Sequence, residues 1–231
     1  MKMKKRRFIF AIYLLISTTV LFAQVGPEGS KAEEKQDTNS DIKNIQLAYS
    51  LADYGYENDS ASALLSAVEI LIQIPTQEGT FEKEQKGEQG EKAPSDKKDY
   101  SAEKLLADAK ELAGKDKDLQ KRIKSLEKAL KSSTRGASGG PLSDYGVSYG
   151  NGGVNYHIWF DGGRLAEVFV YSLDGADFDM YIYDDRGNLL CYDERYNWDA
   201  YGFWHPRRTG RYTIMIKNRS RYNSSYIMYT N

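Results

Sequence analysis

The sequence predicts an α+β protein in two parts, helical hairpins forming a small bundle followed by an antiparallel β-sandwich of seven or eight strands. Three observations carry that prediction. Residues 154–231 alternate apolar and polar positions in short runs rich in Tyr, Phe and Trp, broken every eight to twelve residues by Gly, Asp, Asn or Pro, the punctuation that packed antiparallel strands require. Residues 41–76 and 100–133 repeat apolar side chains at helical spacing,. Composition also changes sharply near residue 140: beyond it Lys217 is the sole lysine, Arg takes over, and all three Trp and thirteen of the eighteen Tyr are found.

At the amino end Lys2, Lys4, Lys5, Arg6 and Arg7 precede an apolar run from Phe8 to Ala23, the order of charge and grease found in a Sec-type secretory signal peptide spanning 1–23. The run is short for a spanning helix and includes Ser17, Thr18 and Thr19, so cleavage near Gln24 is expected, leaving no stable membrane span. Residues 24–40 are expected to be disordered. Removing five cations from a formal net charge of −1 leaves about −6 on the exported chain, the wrong sign for a phosphate-backbone binder, which sets nucleic acid aside. Export implies a periplasmic or extracellular protein. With Cys191 the only cysteine, no intramolecular disulfide forms, and a free thiol in or near the sandwich core is expected.

The first hairpin, 41–76, rests on Ile42, Ile45, Tyr49 and Ala52, then Leu64, Leu65, Val68, Leu71 and Ile72, with Asp59 or Ser60 as N-cap and Pro75 closing the run,. The second, 100–133, rests on Leu105, Leu106, Ala109 and Leu112 ending at Gly114, then Leu119, Ile123, Leu126 and Leu130,. One apolar stripe per helix cannot be buried by a hairpin alone, so the two should pack together. Their size is similar to tetratricopeptide repeats, without the full repeat signature. Residues 77–99, dense in Glu, Lys and Gln, read as a disordered charged linker, and 134–153 as a Gly-rich linker,.

In the last third, Val154, Tyr156, Ile158 and Phe160 share one side of a strand, as do Ala166, Val168 and Val170, then Phe178, Met180 and Ile182, then Tyr212, Ile214 and Ile216, with Tyr226 and Met228 in the last strand,. Turns are expected at Asp174-Gly175, Asp185 to Asn188 and Pro206 to Gly210,. The strings Phe160 to Ala166 and Asp177 to Asp184, with Asp185 to Asn188, Trp204-His205-Pro206, Thr209-Gly210 and Thr230-Asn231, resemble the bacterial pre-peptidase C-terminal domain. The resemblance covers about 154–231 and implies a jelly-roll-like sandwich appended to exported bacterial proteins, often beside a protease. Related modules bind calcium or matrix polymers. No protease motif lies upstream, neither His-Glu-x-x-His nor Gly-x-Ser-x-Gly,.

His157 and His205 are the only histidines, and neither stands near a recognisable Ser or Cys nucleophile, so no catalytic residue is assigned and a non-enzyme is expected. No cofactor is required. Asp177, Asp179, Asp193 and Asp199 are candidate calcium ligands, with turn capping as the alternative role. Phe169 and Tyr171 are expected to face outward from the core, as are Tyr181 and Tyr183, giving four rings on one external face. Such a face can bind a ligand, stabilise the sheet by cross-strand pairing, or receive the helical bundle. The expected function is exported, non-catalytic binding of a protein or polysaccharide at the envelope or outside the cell. The alternative is an accessory or targeting module for a separate secreted hydrolase, with calcium as an optional stabilising ion.

Overall fold

Each predicted helix forms where its apolar stripe and capping residue agree. The computed structural model describes residues 40–95, 97–133 and 140–231; the expected signal peptide, the stretch 24–39 and residues 134–139 lie outside the described residues. Helix α1 spans Asp41–Glu57, α2 Ala61–Gln73, α3 Ala102–Ala113 and α4 Lys117–Ser133. The Oγ atoms of Ser40, Ser60 and Ser101 accept from the backbone N–H three residues on, at 3.0, 3.3 and 3.3 Å, the N-cap bond that a free helix end needs. Helix α1 can press against α2 because Gly55 has no side chain: a Cβ there would stand 2.4 Å from Leu64 Cδ2. Arg122 of α4 donates to both carboxylate oxygens of Glu69 on α2, at 2.8 and 2.7 Å, and this pairing holds the Glu69 carboxyl below its usual range,. Leu112 departs from the expected stripe, being 40% exposed, while Ala113 beside it is buried.

The strands are β1 (Gln77–Glu78), β2 (Glu82–Lys86), β3 (Leu142–Ser148), β4 (Gly153–Phe160), β5 (Ala166–Ser172), β6 (Phe178–Tyr183), β7 (Leu189–Asp193), β8 (Asp199–Trp204), β9 (Gly210–Asn218) and β10 (Ser224–Thr230). They make two five-stranded sheets, β1-β3-β10-β5-β8 and β2-β4-β9-β6-β7. All named pairings are antiparallel except β1 with β3. Between the sheets lies a core of Val154, Tyr156, Ile158, Val168, Val170, Phe178, Met180, Ile182, Ile214, Ile216, Tyr226 and Met228. Val168, Ile182 and Ile214 are fully buried. The period-two alternation thus sorts side chains as a sandwich demands.

The helices and the sandwich are not separate bodies; they form one compact unit. Helix α1 lies against β5, and α2 packs on α1, α3 and α4. The outer face of the first sheet presents Phe169, Tyr171, Ile227 and Tyr229, which join Ile42, Ile45, Tyr49, Leu64, Leu105 and Ile123 in a second core. With the inter-sheet core on one side and the helices on the other, every residue of β5 is buried. Covering an apolar side chain of the size of Phe169 or Ile227 contributes about 1.5–3 kcal/mol, so an exposed apolar sheet face and half-covered hairpins gain by meeting. The first sheet is thus the covered sheet and the second the open sheet.

Two linker expectations are corrected. Residues 77–99 hold β1 and β2, which complete one edge of each sheet. The charged side chains of β2 are exposed, yet Lys83 turns inward and donates to both oxygens of buried Asp144 on β3, at 3.1 and 2.8 Å. Asp144 also accepts from Tyr156 at 2.6 Å, and Phe81 packs edge-on against the Tyr156 ring. An edge strand pairs through its backbone and can remain polar. The stretch 134–153 is likewise more than a linker, since β3 pairs along its whole length with β10. Seven strands, β4 to β10, come from the stretch expected to form the sandwich, and three more come from these two segments.

Candidate functional site

Outward side chains of the open sheet fall into rows set by the strand register. Glu82, His157, Thr213 and Tyr183 stand side by side across four strands, and Glu84, Asn155, Met215, Tyr181 and Tyr192 across five. Trp159 and Arg211 form a further pair. Trp159 is 70% exposed and Tyr192 51%. The Tyr181 and Tyr192 rings stack with centroids 6.4 Å apart and planes 17° from parallel, and Tyr181 donates to Glu194 and Asp179. Burial, then the hydrogen bond to Glu194, pushes the Tyr181 phenol up.

A depression of about 500 Å³ lies on this face, lined by Asn155, His157, Tyr183, Arg211, Thr213 and Met215, with Asp184, Asp185 and Gly187 rising as its wall. That wall is the turn after β6. Gly187 takes φ +80°, the left-handed region that favours glycine. Asp184 accepts from the Asn188 side chain at 2.9 Å and from the N–H groups of Arg186 and Asn188 at 2.9 and 2.8 Å; these bonds hold its carboxyl below the usual range,. On the floor, His157 Nδ1 meets Thr213 Oγ1 at 3.1 Å. Asn155 Oδ1 is shielded from solvent and has no hydrogen-bond partner among the described residues. A buried acceptor without a donor is a costly group, and because it is closed to water the Asn155 oxygen can meet a ligand hydroxyl only after its side chain turns toward the depression. Beyond the turn a second hollow of about 600 Å³ is lined by Trp204, His205, Pro206, Arg207, Arg208 and Tyr212, among others.

The four rings expected on one face are divided. Tyr181 and Tyr183 line the open sheet, whereas Phe169 and Tyr171 belong to the covered sheet and are 0% and 2% exposed. The expectation that all four share an external face is therefore corrected: β5 and β6 lie in different sheets, and the helices cover the β5 pair. Tyr171 Oη donates to Asp53 of α1 at 2.7 Å, Tyr100 donates to the same carboxylate, and Lys98 Nζ lies 3.1 Å from it. Burial raises the Tyr100 and Tyr171 phenols well above their usual range. Strand parity puts Asn155, His157 and Trp159 on the side of β4 opposite Val154, Tyr156, Ile158 and Phe160, away from the core,. What parity could not supply was that this face stays open.

The four candidate metal ligands spend their oxygens elsewhere. Asp179 pairs with Arg219, and Asp193 takes the Arg195 guanidinium at 2.9 and 2.6 Å and the Tyr201 N–H at 3.1 Å. Burial works to raise the Asp193 carboxyl, but Arg195 and these N–H groups hold it below its usual range. Asp199 accepts from Asn197 at 2.7 Å and Gln46 at 2.9 Å. Asp177 accepts from the Asn197 N–H at 3.3 Å; burial, with Asp179 and Asp193 nearby, pushes its carboxyl up. Calcium needs six to eight converging oxygens, and among the described residues no group of three or more His, Cys, Asp or Glu is placed to hold a metal ion. Cys191 is a free, half-buried thiol, pushed up to about 12 by burial. Among the described residues no helix is long and apolar enough to cross a membrane.

Fold and face together define a β-sandwich with one sheet roofed by helices and the other open. The sandwich is similar to the pre-peptidase C-terminal domain of collagenase from Bacillus anthracis, at 14% identity and a TM-score of 0.32, over 39% of this chain and 88% of that one. It is also similar to the Yersinia pseudotuberculosis-derived mitogen, at 15% identity and a TM-score of 0.30, over 39% and 84%. A third likeness is to the CBM22-1–GH10 modules of Clostridium thermocellum xylanase 10B complexed with xylohexaose, at 12% identity and a TM-score of 0.25, over 42% and 22%. No protein-family model matches the chain, and no curated protein matches it.

Proposed function

We propose that this is an exported, non-catalytic binding protein that takes a polysaccharide chain across the outer face of its open sheet. The observation that carries the reading is the depression beside Tyr183, where an aromatic ring stands next to the polar side chains of Asn155, His157, Thr213 and Arg211. Sugar rings present apolar C–H faces that stack on aromatic side chains and hydroxyls that seek fixed polar partners. Tyr183, Trp159 and the Tyr181–Tyr192 pair offer the first, and Asn155, His157, Thr213 and Arg211 the second. Export rests on the cationic and then apolar order of residues 2–23,.

Titration calorimetry of the full mature chain with soluble xylo-, cello- and chito-hexaose tests the reading. Binding of one of these, weakened about tenfold per ring by Trp159→Ala and Tyr183→Ser at unchanged melting temperature, supports it; tenfold is about 1.4 kcal/mol. Silence with all three sugars, or binding that survives both substitutions, overturns it.

A further inference from the structure

The solvent side of α4 carries a row of lysines that the ligand face does not use. Lys117, Lys121, Lys124, Lys128 and Lys131 follow one another at intervals of four, three, four and three, and all five are exposed. At about 100° per residue this spacing keeps them within an arc of about 80°, and at about 1.5 Å rise per residue the row runs for roughly 21 Å. Ile123 and Leu126, buried in the helical core, lie on the opposite side of the helix. The two acids of α4, Asp118 and Glu127, fall outside the arc, and Glu127 is held by Lys110 at 2.7 Å. With Arg122 the helix has six cations against those two acids.

We infer that this ridge docks the protein on an anionic lipid bilayer. The row is straight and made of lysine alone, so it offers point charges to a plane of headgroups rather than a fixed fork to one phosphate. Base-reading and single-strand surfaces add arginine forks and stacking rings to their phosphate contacts, and the row has neither; the one arginine of α4 is committed to Glu69 and Ser66. A protein partner would call for an apolar anchor at the centre of the patch, and none lies within the arc. Helix α4 packs on α2 and α3, while α1 is the helix that lies against β5. No strand of the open sheet is among the main packing partners of α4, so the ridge and the ligand face are separate surfaces.

Cosedimentation of the full mature chain with vesicles tests this. Vesicles of phosphatidylcholine and phosphatidylglycerol in equal parts should carry the protein down at low salt, pure phosphatidylcholine should not, and binding should vanish when salt shortens the Debye length to about 3 Å. Combining Lys121→Glu, Lys124→Glu and Lys128→Glu should lower the partition coefficient about a hundredfold or more, at about fivefold per lysine, with an unchanged circular dichroism spectrum. The corresponding Arg substitutions should retain binding, which keeps the test decisive if the Glu variant unfolds. Three results overturn the inference: no sedimentation of the wild type, an equal loss in a Lys86→Glu, Lys92→Glu, Lys97→Glu control, or capture by duplex DNA under conditions where the vesicles bind nothing.

Discussion

Removing the Asp53 carboxylate should loosen the roof of helices from the covered sheet. Asp53 sits on α1 and is 15% exposed at its side chain; it accepts from Tyr171 of β5 at 2.7 Å and from Tyr100. Hydrogen bonds to a charged group contribute about 1.5–3 kcal/mol each. Tyr171 and Tyr100 also lie 3.2 Å apart, so one hydroxyl can turn to the other and recover part of the loss, while the half-exposed Lys98 pair adds at most about 1 kcal/mol. Asp53→Ala should therefore cost about 2–4 kcal/mol, and Asp53→Asn, which keeps an acceptor, less. Urea unfolding would be followed by far-ultraviolet circular dichroism for the helices and by fluorescence of Trp159, Trp198 and Trp204 for the sandwich. Both midpoints should fall together at unchanged slope. A loss below about 0.5 kcal/mol, or a circular dichroism transition that separates from the fluorescence transition, would refute the argument that helices and sheet are one cooperative unit.

Strand parity predicts that Ile214→Ala, at the fully buried centre of β9, costs about 2–5 kcal/mol, whereas Thr213→Ala beside it, on the open face, costs less than about 1 kcal/mol; equal losses would contradict the assignment. Alkaline pH should unfold the protein. Burial is the largest cause raising the phenols of Tyr49, Tyr100, Tyr156 and Tyr171. Above about pH 10 the unfolded chain releases protons that the folded one retains, so stability falls with rising pH by up to about 1.4 kcal/mol per unit for each such tyrosine. Melting temperatures that stay level from pH 9 to 11 would exclude this.

Where a side chain had to choose between two environments, the sequence announced the choice. Val168, Met180, Ile182, Ile214 and Ile216 recur at every second position of their strands and are all buried between the sheets. Ser60, Gly114 and the Leu64–Leu65 and Leu105–Leu106 pairs marked the helices with similar clarity. The segments that went unread lack such a contrast. Strand β2, Glu-Lys-Glu-Gln-Lys, exposes every residue and is held by backbone pairing and by Lys83, whose target Asp144 lies 61 positions away. Strand β8 puts its small residues, Ala200 and Gly202, inward and its rings Tyr201 and Phe203 outward, the reverse of the usual signal. Phe169 and Tyr171 were correctly aimed away from the inter-sheet core. Their covering by α1 depends on contacts more than a hundred residues apart in sequence, as in the Tyr171–Asp53 bond, which no local pattern encodes. The candidate site was half visible for the same reason: parity grouped Trp159, His157 and Asn155, and only the fold brought Tyr183 beside them.

The division of the tyrosines between a roofed and an open sheet can be read directly by nitrating the native protein with tetranitromethane and mapping the modified peptides by mass spectrometry. Tyr192 and Tyr183 should react early, while Tyr49, Tyr171 and Tyr229, all buried beneath the helices, should react only after unfolding. Native nitration of Tyr171 or Tyr229 at the rate of Tyr192 would mean that the helices do not cover that sheet.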